Sequence, residues 1–273
     1  MKRAFVIGHP IAHSRSPLIH THWLEAHAVA GSYEALDIAP ADLPAFLARL
    51  RAGAFVGGNV TVPHKQAVFA AVDSRDELAV TIGAVNTLVR RADGLHGFNT
   101  DYLGFLGNLD QSVPGWDKGL GAAIVLGAGG AARAVLVALR ARGIAPLHLL
   151  NRTEENAVAL AATLGGPIAA GPLSAFAALA PQAGLVVNCS TVGLGGTRFE
   201  GLALHRLPPG AIVNDLVYVP LETPLLAAAR AGGLRPVDGL GMLLHQAVPG
   251  FEAWFGVRPQ VTPRLRALVE ASL

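Results

Sequence analysis

The stretch from Gly58 to Lys65 places a lysine where helix electrostatics disfavours one. A strand is predicted near 55–62, and a helix is predicted to begin at Pro63, because proline is well tolerated at the first helical position. Lys65 would then lie in the first turn, where the helix dipole disfavours a cation by about 0.3–1 kcal/mol. The same field favours the neutral amine, which is useful in acid–base chemistry. A residue that conflicts with its local structure in this way often belongs to a functional site. The ordinary alternative is a solvated lysine on the surface.

Other polar residues lie at predicted element ends, and each has an ordinary structural explanation when it is taken alone. Asp101 fits the N-cap of a short helix from Tyr102. Ser14 and Ser16 fit a helix start, although their hydroxyls would equally bind a carboxylate at that N-terminus. Asn86 fits a hairpin residue, and Tyr218 fits an aromatic residue in the core or at its rim. Gln246 fits an exposed helix residue.

A glycine-rich turn follows a predicted strand at 122–126 and opens a predicted helix at 131–142. Its residues are Gly127, Ala128, Gly129, Gly130, Ala131 and Ala132. Such a turn is typical of dinucleotide binding, because the glycines allow a tight turn and a close approach of the backbone to a pyrophosphate. An ordinary strand-to-helix turn in a protein rich in alanine and glycine is the alternative.

The end of the next predicted strand indicates which dinucleotide is bound. A protein that prefers NAD usually carries an acidic residue there, whereas this chain has Asn151, Arg152 and Thr153. An arginine suits a 2′-phosphate, so the sequence favours NADP as the cofactor. Thr153 also fits the cap of a helix from Glu154, whose first-turn carboxylates would slightly oppose a nearby phosphate.

The order of predicted elements indicates an α/β protein with two domains. Strands and helices alternate in the first third, with a β-hairpin at 84–98 around the turn Asp93-Gly94. The polar and Gly/Pro-broken stretch 112–119 is predicted to connect the two domains. Beyond it, strands at 122–126, 147–150, 185–188 and 212–214 separated by helices predict a parallel, doubly wound sheet. The segment from about Leu240 is predicted to be helical.

Composition excludes several classes of protein. The 273 residues are 52% hydrophobic and 15% charged, which is typical of a globular chain rather than a disordered one. The net charge of +2 comes from scattered basic residues, so nucleic acid is not indicated as a partner. The single cysteine excludes an internal disulfide, and no spacing of Cys and His fits a metal site. With no signal peptide or membrane span in view, a cytoplasmic location is expected.

Together the motifs resemble shikimate dehydrogenase, in chain order and over nearly the whole sequence. The matching stretches are Gly8–Pro17, Gly58–Lys65, Gly83–Thr87, Gly97–Asp101, Gly127–Ala132, Asn151–Thr153 and Asp238–Gln246. The resemblance implies an N-terminal α/β substrate domain (1–104 with 239–273), a Rossmann-type NADP domain (105–238) and a cleft at their junction. It also implies the reduction of 3-dehydroshikimate to shikimate by NADPH, a step towards chorismate and the aromatic amino acids.

The resemblance also implies roles for individual residues. Lys65 would donate a proton to the alkoxide that hydride transfer creates, or stabilise it, and Asp101 would orient Lys65 and bind a substrate hydroxyl. The substrate carboxylate would be held by Ser14 and Ser16, with Tyr218 nearby. Ring hydroxyls would be bound by Asn59, Thr61, Asn86 and Gln246. The cofactor would contact the glycine-rich turn, Asn151–Thr153 and Gly239.

Two departures from the family pattern keep alternatives open. A second basic residue is usual three positions after Thr153, and this chain has Asn156, which weakens the expected 2′-phosphate site and makes some use of NAD conceivable. His20 is followed by Thr21 where the family commonly has Asn, a variation with no firm consequence. The alternatives are a quinate/shikimate dehydrogenase that uses NAD and a non-catalytic nucleotide-binding sensor of the same fold. Monomer and homodimer both fit the fold.

Overall fold

A computed structural model describes all residues of the chain, 1–273. The strands are β1 (Lys2–Gly8), β2 (Gly31–Asp37), β3 (Gly57–Val60), β4 (Ser74–Arg75), β5 (Thr87–Arg91), β6 (Gly94–Phe98), β7 (Ala122–Leu126), β8 (Leu147–Asn151), β9 (Ile168–Pro172), β10 (Ala183–Asn188), β11 (Ile212–Asp215) and β12 (Arg235–Val237). The α-helices are α1 (Ser16–Ala26), α2 (Leu43–Arg51), α3 (Lys65–Ala71), α4 (Glu77–Ile82), α5 (Asp101–Ser112), α6 (Gly130–Ala141), α7 (Glu154–Leu164), α8 (Phe176–Leu179), α9 (Pro224–Ala231), α10 (Leu240–Phe255) and α11 (Pro263–Glu270). None of them has the length and hydropathy that crossing a bilayer requires.

The chain divides into two compact units. The first unit comprises Met1–Asp101 and Leu244–Ser272, and the second comprises Tyr102–Leu243 with Leu273. The stretch 112–119, which was expected to connect the domains, lies inside the second unit. The reason is that Trp116 is buried there and packs edge-on against Phe105 of α5, with ring centroids 6.4 Å apart.

The first unit is built on a mixed six-stranded sheet in the order β2-β1-β3-β5-β6-β4. Strand β1 lies between β2 and β3 and is parallel to both, whereas β5 is antiparallel to β3 and β6. The hairpin predicted around Asp93-Gly94 is therefore confirmed as β5 and β6. Because β5 runs opposite to its neighbours, its first residues lie beside the last residues of β3 and β6.

The two faces of β1 carry different cores. Phe5 and Ile7 point into an aliphatic and aromatic core, where the Phe5 ring meets Phe46 edge-on at 4.9 Å. On the opposite face the small residue Ala4 pairs in register with Tyr33 on β2 and Gly57 on β3. This arrangement leaves room for large rings above the sheet: the buried Trp23 of α1 and the buried Phe251 and Trp254 of α10.

The second unit contains an all-parallel six-stranded sheet in the order β12-β11-β10-β7-β8-β9. Numbered within the unit, this is the strand order of a doubly wound dinucleotide-binding fold, whose order reverses between β7 and β10. The predicted fold class is therefore confirmed. Ligands bind such sheets beyond the carboxyl ends of the strands at that reversal point.

The structure corrects the element predictions at a few positions. The helix expected at Pro63 begins instead at Lys65, after a cis Val62-Pro63 peptide. Strands β9 and β12 were not predicted, because each is short and contains proline, which is compatible only with a sheet edge. Both strands do lie at the edges of the second sheet.

Candidate active site and nucleotide pocket

Polar residues of the first unit converge at one edge of its sheet. Asn59 lies near the end of β3, and Lys65 begins the helix that follows this strand. Asn86 directly precedes β5, and Asp101 begins the helix that follows β6. Because β5 is antiparallel to β3 and β6, these four residues are brought to the same end of the sheet.

Lys65 and Asp101 form a partly buried ion pair. The Lys65 Nζ lies 2.5 Å from Asp101 Oδ2, and the two side chains are 28% and 12% exposed. The Lys65 carbonyl also accepts a hydrogen bond from the Val85 amide at 3.1 Å, which fixes the start of α3 against the segment that precedes β5. The carboxylate thus supplies the charge partner that the cation lacks at the positive end of α3.

The other carboxylate oxygen of Asp101 is held by Asn86. The Asn86 Nδ2 donates to Asp101 Oδ1 at 2.8 Å, while Asn86 Oδ1 accepts from the Thr100 amide at 2.8 Å and from the Thr87 hydroxyl at 3.0 Å. All four residues of this cluster are buried. Because both ends of the amide are engaged, Asn86 fixes the orientation of the carboxylate that pairs with Lys65.

The ordinary interpretation of Asp101 as an N-cap does not hold in the structure. Asp101 is the first residue of α5, and its carboxylate bonds Lys65 and Asn86 rather than the backbone of the helix. Asn99 supplies the local bond instead, because its Oδ1 accepts from the Asp101 amide at 3.1 Å. Because Asn99 binds the first amide of α5, the Asp101 carboxylate can bond Lys65 and Asn86 instead.

Asn59 joins the same cluster from β3. Its Nδ2 lies 3.3 Å from both the Asn86 carbonyl and the Thr87 hydroxyl, and its Oδ1 accepts from the Tyr33 hydroxyl at 2.7 Å. Thr61, just beyond β3, is half-buried. Its amide bonds the Ile7 carbonyl at 2.9 Å, which anchors this end of β3 to β1.

The serines and Gln246 also belong to the first unit. Ser16 is buried at the start of α1, and its amide donates to the half-buried Ser14 hydroxyl at 3.3 Å. Gln246 lies on α10, and its carbonyl accepts from the Thr100 hydroxyl at 2.8 Å. This bond ties α10 to the cluster around Asn86.

Three buried polar residues of this cluster had no predicted role: Tyr33, Thr87 and Thr100. Thr87 and Thr100 contact the Asn86 amide, and Tyr33 contacts Asn59. Thr87 directly follows Asn86 at the start of β5, and Thr100 directly precedes Asp101 at the start of α5. Their positions next to these two predicted site residues could have indicated a role in the site. Tyr33 lies in the middle of β2 and gives no such signal.

In the second unit, a cavity of about 920 Å³ lies beyond the ends of β7, β8 and β10. Its lining includes six of the predicted cofactor residues: Gly127, Ala128, Gly129, Asn151, Arg152 and Thr153. Gly127 has a φ of +98°, and a Cβ there would lie 3.0 Å from the Ser190 backbone, so the turn requires glycine. Gly130 and Ala131 form the first turn of α6 rather than the lining.

The pocket has the donors that a dinucleotide diphosphate requires. No side chain caps α6, no acidic residue lies in its first turn, and a Cβ at Gly129 or Gly130 would meet nothing within 4 Å. The first amides of this helix are therefore open to an anion. Thr153 stands at the N-cap of α7, yet its side chain makes no capping bond, while Asn151 Nδ2 donates to the Thr153 carbonyl at 2.8 Å.

Two arginines line the pocket without an ion-pair partner. Arg152 follows β8, and Arg198, which the sequence analysis did not single out, lies in the loop between β10 and β11. Asn156 and Glu200 line the same cavity. The pocket therefore offers two free guanidinium groups to a ligand, against one carboxylate that opposes an anion.

A buried carboxylate holds Asn188, which in turn binds Ser190 of the pocket lining. Asp215, at the end of β11, accepts from Thr223 Oγ1 at 2.6 Å, Asn188 Nδ2 at 2.8 Å and the Val217 amide at 3.0 Å. Asn188 Oδ1 in turn accepts from the amide and hydroxyl of Ser190, which lines the cavity. Burial raises the pKa of Asp215 above its usual range, while these three donors oppose the rise.

Two further predicted residues stand in the second unit outside this lining. Tyr218 is half-buried and follows β11. Gly239 precedes α10, and a Cβ there would clash with the carbonyl oxygen of Leu216, so close backbone approach accounts for the glycine. No group of three or more His, Cys, Asp or Glu side chains is placed to hold a metal ion.

One unit is a doubly wound fold with a helix N-terminus open to an anion, and the other carries a partly buried Lys–Asp pair. Together these features define a pyridine-nucleotide-dependent oxidoreductase. Three family models match the chain. They are "Shikimate dehydrogenase substrate binding domain" over residues 6–88, "Shikimate / quinate 5-dehydrogenase" over 118–193 and "Shikimate 5'-dehydrogenase C-terminal domain" over 239–268. Together they cover more than half of the sequence.

Curated relatives match from end to end. The NADP(+) shikimate dehydrogenase of Mesorhizobium japonicum is 57% identical over 274 residues, which cover 100% of this chain and 97% of that protein. The enzyme of the same name from Methylobacterium radiotolerans is 55% identical, over 99% of this chain and 97% of its own. The chain belongs to the shikimate dehydrogenase family.

Solved structures agree with this assignment. The shikimate 5-dehydrogenase of Thermus thermophilus, in complex with NADP(H) and shikimate, is 40% identical with a TM-score of 0.89, and all of both chains is covered. A quinate dehydrogenase from Corynebacterium glutamicum, in complex with NAD, is 32% identical with a TM-score of 0.90, over 100% of this chain and 99% of that one. The fold is thus shared by enzymes named for either substrate.

Proposed function

We propose that the chain catalyses the reversible reduction of 3-dehydroshikimate to shikimate by NADPH, a step towards chorismate and the aromatic amino acids. The observation that carries the proposal is the Lys65–Asp101 ion pair, set in a buried cluster of amides and hydroxyls. A binding module requires a nucleotide pocket but has no use for such a pair. The names of the curated relatives support the same reaction.

The chemistry requires a hydride at the ketone carbon and a proton at its oxygen. NADPH, when bound, supplies the hydride and leaves as NADP. As the carbonyl oxygen gains negative charge, the Lys65 ammonium donates a hydrogen bond and then a proton, so the product is a neutral alcohol. Asp101 accepts from Lys65 and from Asn86, and it thereby keeps the ammonium group in one orientation.

Substrate binding follows from the donors available in the first unit. The Ser14 and Ser16 hydroxyls at the start of α1 suit the carboxylate of the substrate, because a helix N-terminus favours an anion. Asn59, Thr61, Asn86 and Gln246 offer amides and a hydroxyl for the ring hydroxyls, and the family resemblance adds Tyr218. Buried polar groups of this kind discriminate strongly against analogues that leave them without a partner.

The cofactor preference for NADP over NAD rests on the pocket of the second unit. Arg152 and Arg198 both line it without a protein partner, so a 2′-phosphate would gain charge-assisted hydrogen bonds there. Arg198 offers a second cation in a pocket where Asn156 replaces the basic residue usual in the family. The diphosphate would bind the open amides of α6.

Initial rates with four substrate pairs test the proposal. Purified protein would be assayed for oxidation of shikimate and of quinate, each with NADP and with NAD. We expect the highest kcat/KM for shikimate with NADP. If quinate with NAD is preferred, the alternative of a quinate dehydrogenase replaces the proposal. This alternative has support from the likeness to the quinate dehydrogenase that holds NAD.

A non-catalytic nucleotide sensor is the alternative from another class. It would keep the glycine-rich turn and lose the chemistry. Thermal shift measurements separate the two, because a sensor should be stabilised by nucleotide alone, whereas the proposed enzyme should also be stabilised by shikimate without nucleotide.

Location and assembly are further parts of the proposal. The lone cysteine, Cys189, supports a reducing compartment, so we expect cell fractionation to find the protein in the cytoplasm. Light scattering during size-exclusion chromatography distinguishes the monomer from the homodimer.

A further inference from the structure

Tyr33 contacts the proposed substrate site from a strand that contributes none of the predicted site residues. It lies on β2, which is separated from Asn59 on β3 by the intervening strand β1. Tyr33 is in register with Ala4 of β1, and Asn59 is in register with Val6 two residues further along the same strand. The Tyr33 hydroxyl donates to Asn59 Oδ1 at 2.7 Å, and both residues are buried.

This hydrogen bond determines which end of the Asn59 amide is available to a ligand. A carboxamide can present either a carbonyl oxygen or an NH2 group. Because Tyr33 occupies the oxygen, Asn59 is left with its NH2 group for other partners. Within the protein this group has only long contacts, at 3.3 Å to the Asn86 carbonyl and the Thr87 hydroxyl. A hydroxyl or carboxylate oxygen of a substrate could therefore become its better acceptor.

The surroundings of Tyr33 keep it in this donor role. Its ring stacks on the His20 ring with centroids 4.0 Å apart and an interplanar angle of 16°. Burial raises the pKa of Tyr33 well above its usual value, so the phenol stays protonated, although a hydrogen bond with Ser16 partly opposes the rise. Ser16 is itself a predicted carboxylate ligand, so the Tyr33 hydroxyl lies near a second residue of the proposed substrate site.

We propose that Tyr33 is a positioning residue for substrate binding, which holds Asn59 with its NH2 group towards a substrate oxygen. The proposal rests on the function proposed above, since Asn59 is a substrate ligand only in that account. It predicts that Tyr33 acts through Asn59 and not on the proton transfer, because its hydroxyl has no bond to Lys65 or Asp101.

A double-mutant cycle with Tyr33→Phe and Asn59→Ala tests this role. Phenylalanine keeps the ring that stacks on His20 and removes only the hydroxyl. We expect Tyr33→Phe to raise the KM for shikimate about tenfold, the effect of losing one hydrogen bond of ordinary strength. The kcat should stay within about threefold and the KM for NADP should not change. In the Asn59→Ala background the same substitution should change the KM less than about twofold, because its target is absent.

The control is Tyr102→Phe, which removes a hydroxyl that has no hydrogen-bond partner and lies in the second unit. It should leave both KM values unchanged. Equal effects of Tyr33→Phe in the two backgrounds would overturn the proposal, and so would a loss of kcat at constant KM. Near-UV circular dichroism and an unchanged KM for NADP check that each variant is folded. A wild-type protein that neither binds nor oxidises shikimate would instead refute the proposed function.

Discussion

Replacing His20 by phenylalanine should make the first unit less sensitive to acid. His20 is completely buried between aromatic rings, and neither ring nitrogen has a hydrogen-bond partner. Burial lowers the pKa of His20 from 6.5 to about 3, although a contact with Asn59 slightly opposes this. In the unfolded chain the same histidine takes up a proton near pH 6.5. Between pH 3 and pH 6.5 the folded state therefore holds a neutral ring while the unfolded state holds a charged one.

The sign and size follow from proton linkage. Between pH 6.5 and 3 the unfolded state binds more protons, so stability falls with falling pH, by about 1.4 kcal/mol per pH unit. From pH 7.5 to pH 5 the cost attributable to His20 is about 2 kcal/mol, and above pH 6.5 it disappears. His20→Phe keeps a planar ring against Tyr33 and cannot be protonated. A constant packing penalty of about 1–3 kcal/mol is expected at every pH, which leaves the pH dependence interpretable.

Urea unfolding at pH 5, 6 and 7.5, followed by tryptophan emission, measures this effect. Trp23 and Trp254 have ring centroids within 5.6 Å of the His20 ring and report the unfolding of the first unit, whereas Trp116 reports the second unit. The measurement is therefore made in a Trp116→Phe background. His27→Gln is the control, because His27 is exposed at the end of α1. The reasoning is wrong if His20→Phe loses as much stability as wild type between pH 7.5 and pH 5.

Two further predictions concern the second unit. Arg152→Ala and Arg198→Ala should each raise the KM for NADP by about five- to tenfold with little effect on NAD, whereas Arg206→Ala, an exposed arginine outside the pocket lining, should change neither in steady-state assays. Asp215→Ala should lower the free energy of unfolding by about 3 kcal/mol or more in urea titrations, because three buried donors lose their acceptor. The exposed Glu222→Ala should cost less than about 0.5 kcal/mol, and equal losses would contradict the role of burial.

Local patterns predicted most of the second unit, including its nucleotide pocket. The glycine-rich turn, the helix behind it and Arg152 are neighbours in sequence, so one strand-turn-helix pattern indicates the pocket. Arg198 was not predicted to line the pocket, because it lies on an exposed loop whose position depends on the order of all the strands in the sheet. The edge strands β9 and β12 were not predicted, because a short segment that contains proline shows no clear hydrophobic periodicity.

The site of the first unit depends on contacts between distant residues. Lys65 was singled out by a local conflict with the helix dipole, but its partner Asp101 lies 36 residues away and fits an N-cap equally well. Only the strand order, with β5 antiparallel between β3 and β6, brings the two together. Tyr33 and Asn59 are separated by a whole strand, and Thr100 and Gln246 by 146 residues, so local patterns carry no information about either contact.

The most direct test of the account is the kcat of Lys65→Met for shikimate oxidation with NADP. Methionine preserves much of the length of the side chain and removes the ammonium group that is assigned the proton transfer. The account predicts a kcat lower by about 10²–10⁴-fold, with the KM for shikimate within several-fold and the KM for NADP unchanged. A kcat close to that of wild type would contradict the assignment of Lys65 as the proton donor.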